Sequence, residues 1–128
     1  MPISSLETKI ATSLTPNSPA EEVKVIADIV SKLESAKKPI IVVDGGGARG
    51  SWAGPVQPLI TALKVPFFTT ILGKGIVDEN DPLYGGVYGG IGSLPEVIKL
   101  VEASDCILRL GNLPSDFNTL VFNFQYGG

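Results

Sequence analysis

Apolar residues gather in three short runs, Pro39–Val43, residues 65–70 and Cys106–Leu110, each bounded by Gly, Pro or polar clusters. The first, Pro39-Ile40-Ile41-Val42-Val43, is β-branched with no polar alternation, the signature of a strand covered on both faces. The other two read as further buried strands. Between them the apolar spacing changes to three and four residues, which predicts helices. The first helix is expected from Ser18 as N-cap, with Pro19 at its first position and Glu21 completing a capping box. Val23, Ile26, Ile29, Val30 and Leu33 give it an apolar stripe, and it should end near Lys37 and Lys38, whose charges suit a helix C-terminus. The second helix carries Val56, Leu59, Ile60 and Leu63, and Pro55 and Pro58 fit it only within its first turn. A second capping box, Ser93 with Glu96, opens a third helix whose Val97, Leu100 and Val101 face inward.

Glycine and polar residues fill the connections. Gly73-Lys74-Gly75 turns the chain into a Gly- and Tyr-rich stretch, 81–92, that reads mostly as loop, with Tyr84 and Tyr88 packing it down. Residues 112–119 form a polar loop, and 120–124 alternate as an edge strand does. The order α-β-α-β-α-β predicts an α/β fold: an open parallel sheet with helices on both faces, Rossmann-like, with right-handed connections. Residues 1–17 lack periodicity and read as an inter-domain linker or an extended entry segment, leaving 18–128 as one domain. No closing helix or strand follows, so the domain is expected to be truncated at its C-terminal end.

Composition narrows the function. At 128 residues with 44% hydrophobic content the chain is the size of a single domain. Ten basic against 13 acidic residues give a net charge of −3, with no basic stripe to neutralise nucleic-acid phosphates. No apolar stretch approaches the roughly 20 residues of a membrane helix, and the N-terminal dozen residues lack the apolar core of a signal peptide. A cytosolic protein is the default. The absence of histidine removes the commonest general base and metal ligand, so no metal site is expected. The single cysteine, Cys106, lies in an apolar run and reads as a small buried hydrophobe.

Residues 45–50 match Gly-x-Gly-x-x-Gly after a strand and before a helix, where amides can cradle a pyrophosphate. The candidates for such a site are Asp44, Gly45, Gly47 and Gly50. Two features count against it. The helical periodicity begins late, at Val56, and no acidic ribose ligand stands about 20 residues on, where Phe67, Phe68, Thr69 and Thr70 lie. A flexible turn at the carboxyl edge of the sheet is the alternative reading, with Asp44 capping it. Lys74 reads as a solvated turn lysine rather than an anion ligand, since no P-loop spacing precedes it. Trp52 allows either a contact with a neighbouring domain or local packing.

Lys38-Pro39-Ile40-Ile41-Val42-Val43-Asp44, Gly73-Lys74-Gly75 with Asp78-Glu79, Tyr84-Gly85-Gly86-Val87-Tyr88, Pro95-Glu96-Val97 and Ser115-Asp116-Phe117-Asn118-Thr119 occur in register. Together, over roughly 17–126, they resemble the middle domain of thiamine-diphosphate-dependent 2-oxo acid decarboxylases of the pyruvate and indolepyruvate decarboxylase type, fungal ones especially. The resemblance implies a three-domain parent lyase that converts a 2-oxo acid to an aldehyde and CO2. Thiamine diphosphate and Mg2+ would bind between the other two domains, and the parent would be a homodimer or homotetramer. The family's catalytic glutamate, His-His pair, Gly-Asp-Gly and Asn-Asn elements are missing here, so no catalytic, cofactor or metal residue is expected in this chain. By the same resemblance the middle domain is a six-stranded scaffold that some relatives use for FAD or ADP. Substrate-activated fungal members carry Cys-Cys-Ser-Arg-His where this chain has Gly46-Gly47-Ala48-Arg49-Gly50, which leaves Arg49 as the regulatory candidate and puts thiol-based activation aside. Ser115, Asp116, Asn118 and Thr119 correspond to a loop that is mobile in the family. The competing reading is a free-standing Rossmann-like nucleotide module built on residues 45–50, and a third is a ligand-free interaction domain.

Overall fold

A computed structural model describes residues 16–49, 53–113, 115, 116 and 118. The elements run α1 (Pro19–Ser35), β1 (Pro39–Val43), a 3-10 turn (Gly45–Ala48), α2 (Ala53–Leu63), β2 (Phe67–Thr69), β3 (Tyr84–Val87), α3 (Pro95–Glu102) and β4 (Cys106–Leu110). The chain divides into two compact units, one up to Ser31 and one from Lys32 onward. In the first, α1 begins at the expected proline, and the Ser18 carbonyl accepts the amides of Glu21 and Glu22 at 3.0 and 2.9 Å. None of the α1 residues is buried: Val23, Ile26, Ile29 and Val30 of its apolar stripe are exposed and Leu33 is half-buried.

The second unit holds a four-stranded parallel sheet in the order β3-β2-β1-β4. Residues alternate between its faces, as the two-residue period of a strand requires. On one face Ile40 and Val42 of β1 pack with Phe68, Tyr88 and the α3 residues Val97 and Val101. On the other, Ile41 and Val43 pack with Phe67, Val77 and the α2 residues Val56 and Ile60. Helices α2 and α3 therefore cover opposite faces, and the unalternated run of β1 is explained by burial on both. The chain moves outward from β1 through β2 to β3, then returns to place β4 on the other side of β1.

The structure departs from expectation at four points. Most of 81–92 is loop and turn as expected, but it also carries a strand that was missed, Tyr84–Val87, parallel to β2. Two glycines hid it by lowering its β-propensity. They are required by packing: a Cβ on Gly85 would stand 2.1 Å from the Phe68 ring, and Gly86 has φ +112° at a register shift in the ladder. Tyr84 and Tyr88 do pack down, Tyr88 completely, while the Tyr84 hydroxyl lies 2.9 Å from the Thr69 hydroxyl.

Strand β4, expected to be buried, is half-exposed along its length, because it pairs only with β1 among the described residues and stands at the edge of that sheet. Cys106 is accordingly half-buried. Helix α3 starts at Pro95 with Leu94 at the cap and no side-chain cap bond, since the Ser93 hydroxyl instead accepts the Gly89 amide at 2.7 Å. Pro58 lies in the second turn of α2 rather than the first. Lacking an amide hydrogen, Pro58 forfeits only the bond to the carbonyl four residues back, that of Gly54, one residue into the helix. The expected edge strand 120–124, Trp52 and Gly50 lie outside the described residues.

The Phe68–Gly85 contact generates a test. Gly85→Ala should lower unfolding stability in urea by about 1–3 kcal/mol, the usual loss on overpacking a filled core. Unchanged stability would mean that the ring and β3 separate freely.

Candidate functional site

Strand β1 lies between β2, which follows it through α2, and β4, which reaches it from α3. The connections after β1 and β4 thus start on neighbouring strands, and in open α/β sheets such a switch point is where ligands bind. Asp44, Gly45, Gly47, Arg109 and Leu113 all sit at or near this point.

Asp44 is fully buried and directly follows β1. One carboxylate oxygen, Oδ1, accepts the Gly45 amide at 2.7 Å, the Thr70 hydroxyl at 2.7 Å and the Asn118 side-chain amide at 2.6 Å. The other, Oδ2, accepts an Arg109 guanidinium nitrogen at 2.8 Å and the Leu113 amide at 2.9 Å. An ionised carboxylate is acceptor-only, with about four lone-pair sites, so five donors saturate it. Burial pushes the Asp44 carboxyl up, but the Leu113 amide, the Thr70 hydroxyl, the Gly45 amide and the Asn118 amide outweigh it and hold the group below its ordinary value.

The partners extend the network. The Thr70 hydroxyl also accepts the Gly73 amide at 3.1 Å. The Asn118 carbonyl oxygen accepts the Leu72 amide at 3.0 Å, while its nitrogen donates to the Leu113 carbonyl at 3.1 Å as well as to Asp44. Reversing that side-chain amide would set oxygen against carboxylate, so its orientation is fixed by chemistry. The loops after β1, β2 and β4 are thereby joined at one side chain.

The glycine turn is equally committed. The Gly46 amide donates to the Gly111 carbonyl at 2.9 Å, the Gly47 amide to the Asp44 carbonyl at 2.8 Å and the Arg49 amide to the Gly46 carbonyl at 3.2 Å. A Cβ on Gly111, whose φ is +68°, would stand 1.9 Å from the Gly47 nitrogen. The glycines serve the close approach of two loops, and the amides a pyrophosphate would need are already donating. Beside the turn lies a cavity of about 590 Å³ whose walls include Val56, Leu59 and Leu110, with the Arg109 guanidinium turned toward Asp44.

Of the residues singled out in the sequence, Asp44, Gly45 and Gly47 meet here, and Asn118 joins them. Arg49 is exposed at the end of the 3-10 turn. Ser115 accepts the Asn118 amide on its hydroxyl at 3.0 Å, Asp116 is exposed, and Gly50 and Thr119 lie outside the described residues. Asn118, expected as part of a mobile loop, is fully buried here and bonded through both ends of its side-chain amide. Thr70 and Arg109 were not anticipated. A cation inside the apolar run Cys-Ile-Leu-Arg-Leu is the signal that could have found the ion pair, since a charge there needs a partner. Lys74 does not face the site: its ammonium is 2.6 Å from Glu79, which raises its pKa.

Among the described residues no three His, Cys, Asp or Glu side chains converge as a metal-holding group. With Asp44 saturated and the glycine amides engaged, these residues do not fit thiamine diphosphate or Mg2+.

The fold and this locked carboxyl edge define a doubly wound, Rossmann-like α/β domain. Residues 26–125 match the family described as thiamine pyrophosphate enzyme, central domain. The chain is 42% identical to a pyruvate decarboxylase of Candida glabrata and 41% to pyruvate decarboxylase isozyme 2 of Saccharomyces cerevisiae. It is 43% identical to a pyruvate decarboxylase of Candida albicans. Each comparison covers 126 residues, 98% of this chain and 22% of the relative. The chain belongs to the thiamine pyrophosphate enzyme central-domain family, and it spans about a fifth of the length of these relatives.

Removing the acceptor should be costly. Asp44→Ala is expected to lower stability by about 3–5 kcal/mol, because Arg109 and buried amides lose their partner. Since the folded pKa of Asp44 lies below the ordinary 3.8, its contribution is complete above that pH and is lost as pH falls through the folded value. Urea midpoints of the parent chain should therefore fall below about pH 4 more steeply than those of Asp44→Ala. Parallel acid profiles would show that the carboxylate is not the group that titrates.

Proposed function

We propose that this chain is the central scaffold of a pyruvate decarboxylase-type lyase, an enzyme that splits a 2-oxo acid into an aldehyde and CO2, and that it has no activity by itself. Family membership and the relatives' names support the parent reaction. The observation that carries the scaffold role is the saturation of Asp44 by five donors, which leaves the buried carboxylate at the switch point unable to serve as base or ligand. Proton transfer at a thiazolium needs a positioned acid or base, and histidine is absent from the sequence.

In this reading thiamine diphosphate and Mg2+ belong to two other domains of the parent, which supply the carbanion-stabilising chemistry when they bind. The chain's own residues fix the carboxyl-edge loops against which those domains are placed. The parent works in the cytosol as a homodimer or homotetramer, and exposed Arg49 is the group available to an anionic regulator.

Acetaldehyde formation from pyruvate by the chain, supplied with thiamine diphosphate and Mg2+, should not exceed the blank. Turnover above it would overturn the scaffold role. The nucleotide-module alternative predicts calorimetric binding of ADP, NAD or FAD tighter than about 1 µM, about −8 kcal/mol. With its amides engaged, the glycine turn should show none.

A further inference from the structure

The amino edge of the sheet, opposite Asp44, has a different character. Half of the chain's eight lysines, Lys37, Lys38, Lys64 and Lys99, line one groove of about 630 Å³, although the net charge is −3. They come from three segments distant in sequence: the entry to β1, the end of α2 and the last turn of α3. Among the described residues no Asp or Glu lines the groove. The nearby Asp105 carboxylate accepts the amides of Lys37 and Lys38 at 2.9 and 2.8 Å and offsets part of the Lys38 charge, leaving the groove basic through Lys37, Lys64 and Lys99 as well.

Helix C-termini collect at this edge in any parallel α/β sheet, and their dipoles favour lysine there. That accounts for the charges but not for what lies among them. Leu100, 57% exposed, and Leu83, 37% exposed, stand in the same groove, apolar side chains on a helix and a loop. Lys64 is held at φ +53°, one residue past α2, where glycine is the unstrained choice. The sequence keeps a cation there in spite of the backbone.

We propose that this groove is a docking surface for an acidic amphipathic segment of another polypeptide, with apolar side chains on Leu83 and Leu100 and flanking carboxylates on Lys37, Lys38, Lys64 and Lys99. Charge complementarity selects the acidic partner. The concave apolar floor selects a segment with its own apolar stripe over a flat anionic bilayer or a purely charged polymer.

The test is a fluorescence-anisotropy titration of the chain with a labelled peptide of roughly 16 residues carrying Leu on one helical face and Glu on its flanks. Binding should be at least about tenfold tighter than to a scrambled peptide of equal charge, should weaken with salt, and should shift the amide resonances of Leu83 and Leu100. Lys64→Gln with Lys99→Gln should weaken it about tenfold. Leu100→Gln, which leaves the charge alone, should weaken it about threefold or more, with the far-ultraviolet circular dichroism of each variant unchanged. Equal binding of the scrambled peptide or of polyglutamate would overturn the proposal, as would resonance shifts elsewhere or preference for phosphatidylserine vesicles. Self-association of the chain that displaces the peptide would assign the groove to a second copy and overturn it too.

Discussion

One buried carboxylate organises the carboxyl edge of this domain. Asp44 accepts from the turn after β1, from the residue after β2, from the loop after β4 and from β4 itself. A neutral side chain could not do this, because an amide or hydroxyl at position 44 would present a donor to a ring of donors. Nor is the pair with Arg109 sufficient alone. Taking two charges out of water costs several kcal/mol per ion, and the attraction offsets this only when the remaining lone pairs are filled. Here the backbone amides and the Thr70 and Asn118 side chains fill them.

The same edge shows why a glycine pattern is not a binding site. Residues 45–50 have the spacing and the strand-to-helix setting of a dinucleotide cradle, yet chemistry at such a turn depends on where its amides point. The Gly45 and Gly46 amides donate to Asp44 and Gly111, so the glycines permit contact between two loops rather than approach to a pyrophosphate. Topology supplies a crevice at the switch point, and side chains decide whether it is open.

Much of the architecture was legible because it rests on periodicity. Uninterrupted Ile and Val at 40–43 and three- or four-residue steps in α2 and α3 are direct consequences of burial on one or two faces, and they place three strands and those helices within a residue or two. Strand β3 was not legible, because its reason to exist is the Phe68 ring over Gly85, a contact between residues 17 apart that propensity does not contain. The hub was half legible. Asp44 stood out by its place after a strand, but Arg109 is 65 residues away and Asn118 is 74, and no local rule joins them.

The two edges of the sheet now differ in kind. At the carboxyl edge the polar groups of the hub are turned inward: Asp44 accepts five donors from within the domain, the Gly45, Gly46 and Gly47 amides donate within it, and the loops are mutually tied. At the amino edge Lys37, Lys38, Lys64 and Lys99 face a groove that no carboxylate lines among the described residues. A self-satisfied edge suits a surface whose shape must not change, since each loop can move only by breaking hydrogen bonds to a buried charge. An edge with a surplus of lysine around exposed leucines suits a surface completed from outside. Ordinary α/β proteins put recognition at the carboxyl edge because that is where loops are free to vary. Once those loops have been committed to Asp44 and to carrying the neighbouring domains, recognition of a further partner falls to the opposite edge, where the helices end and their lysines project.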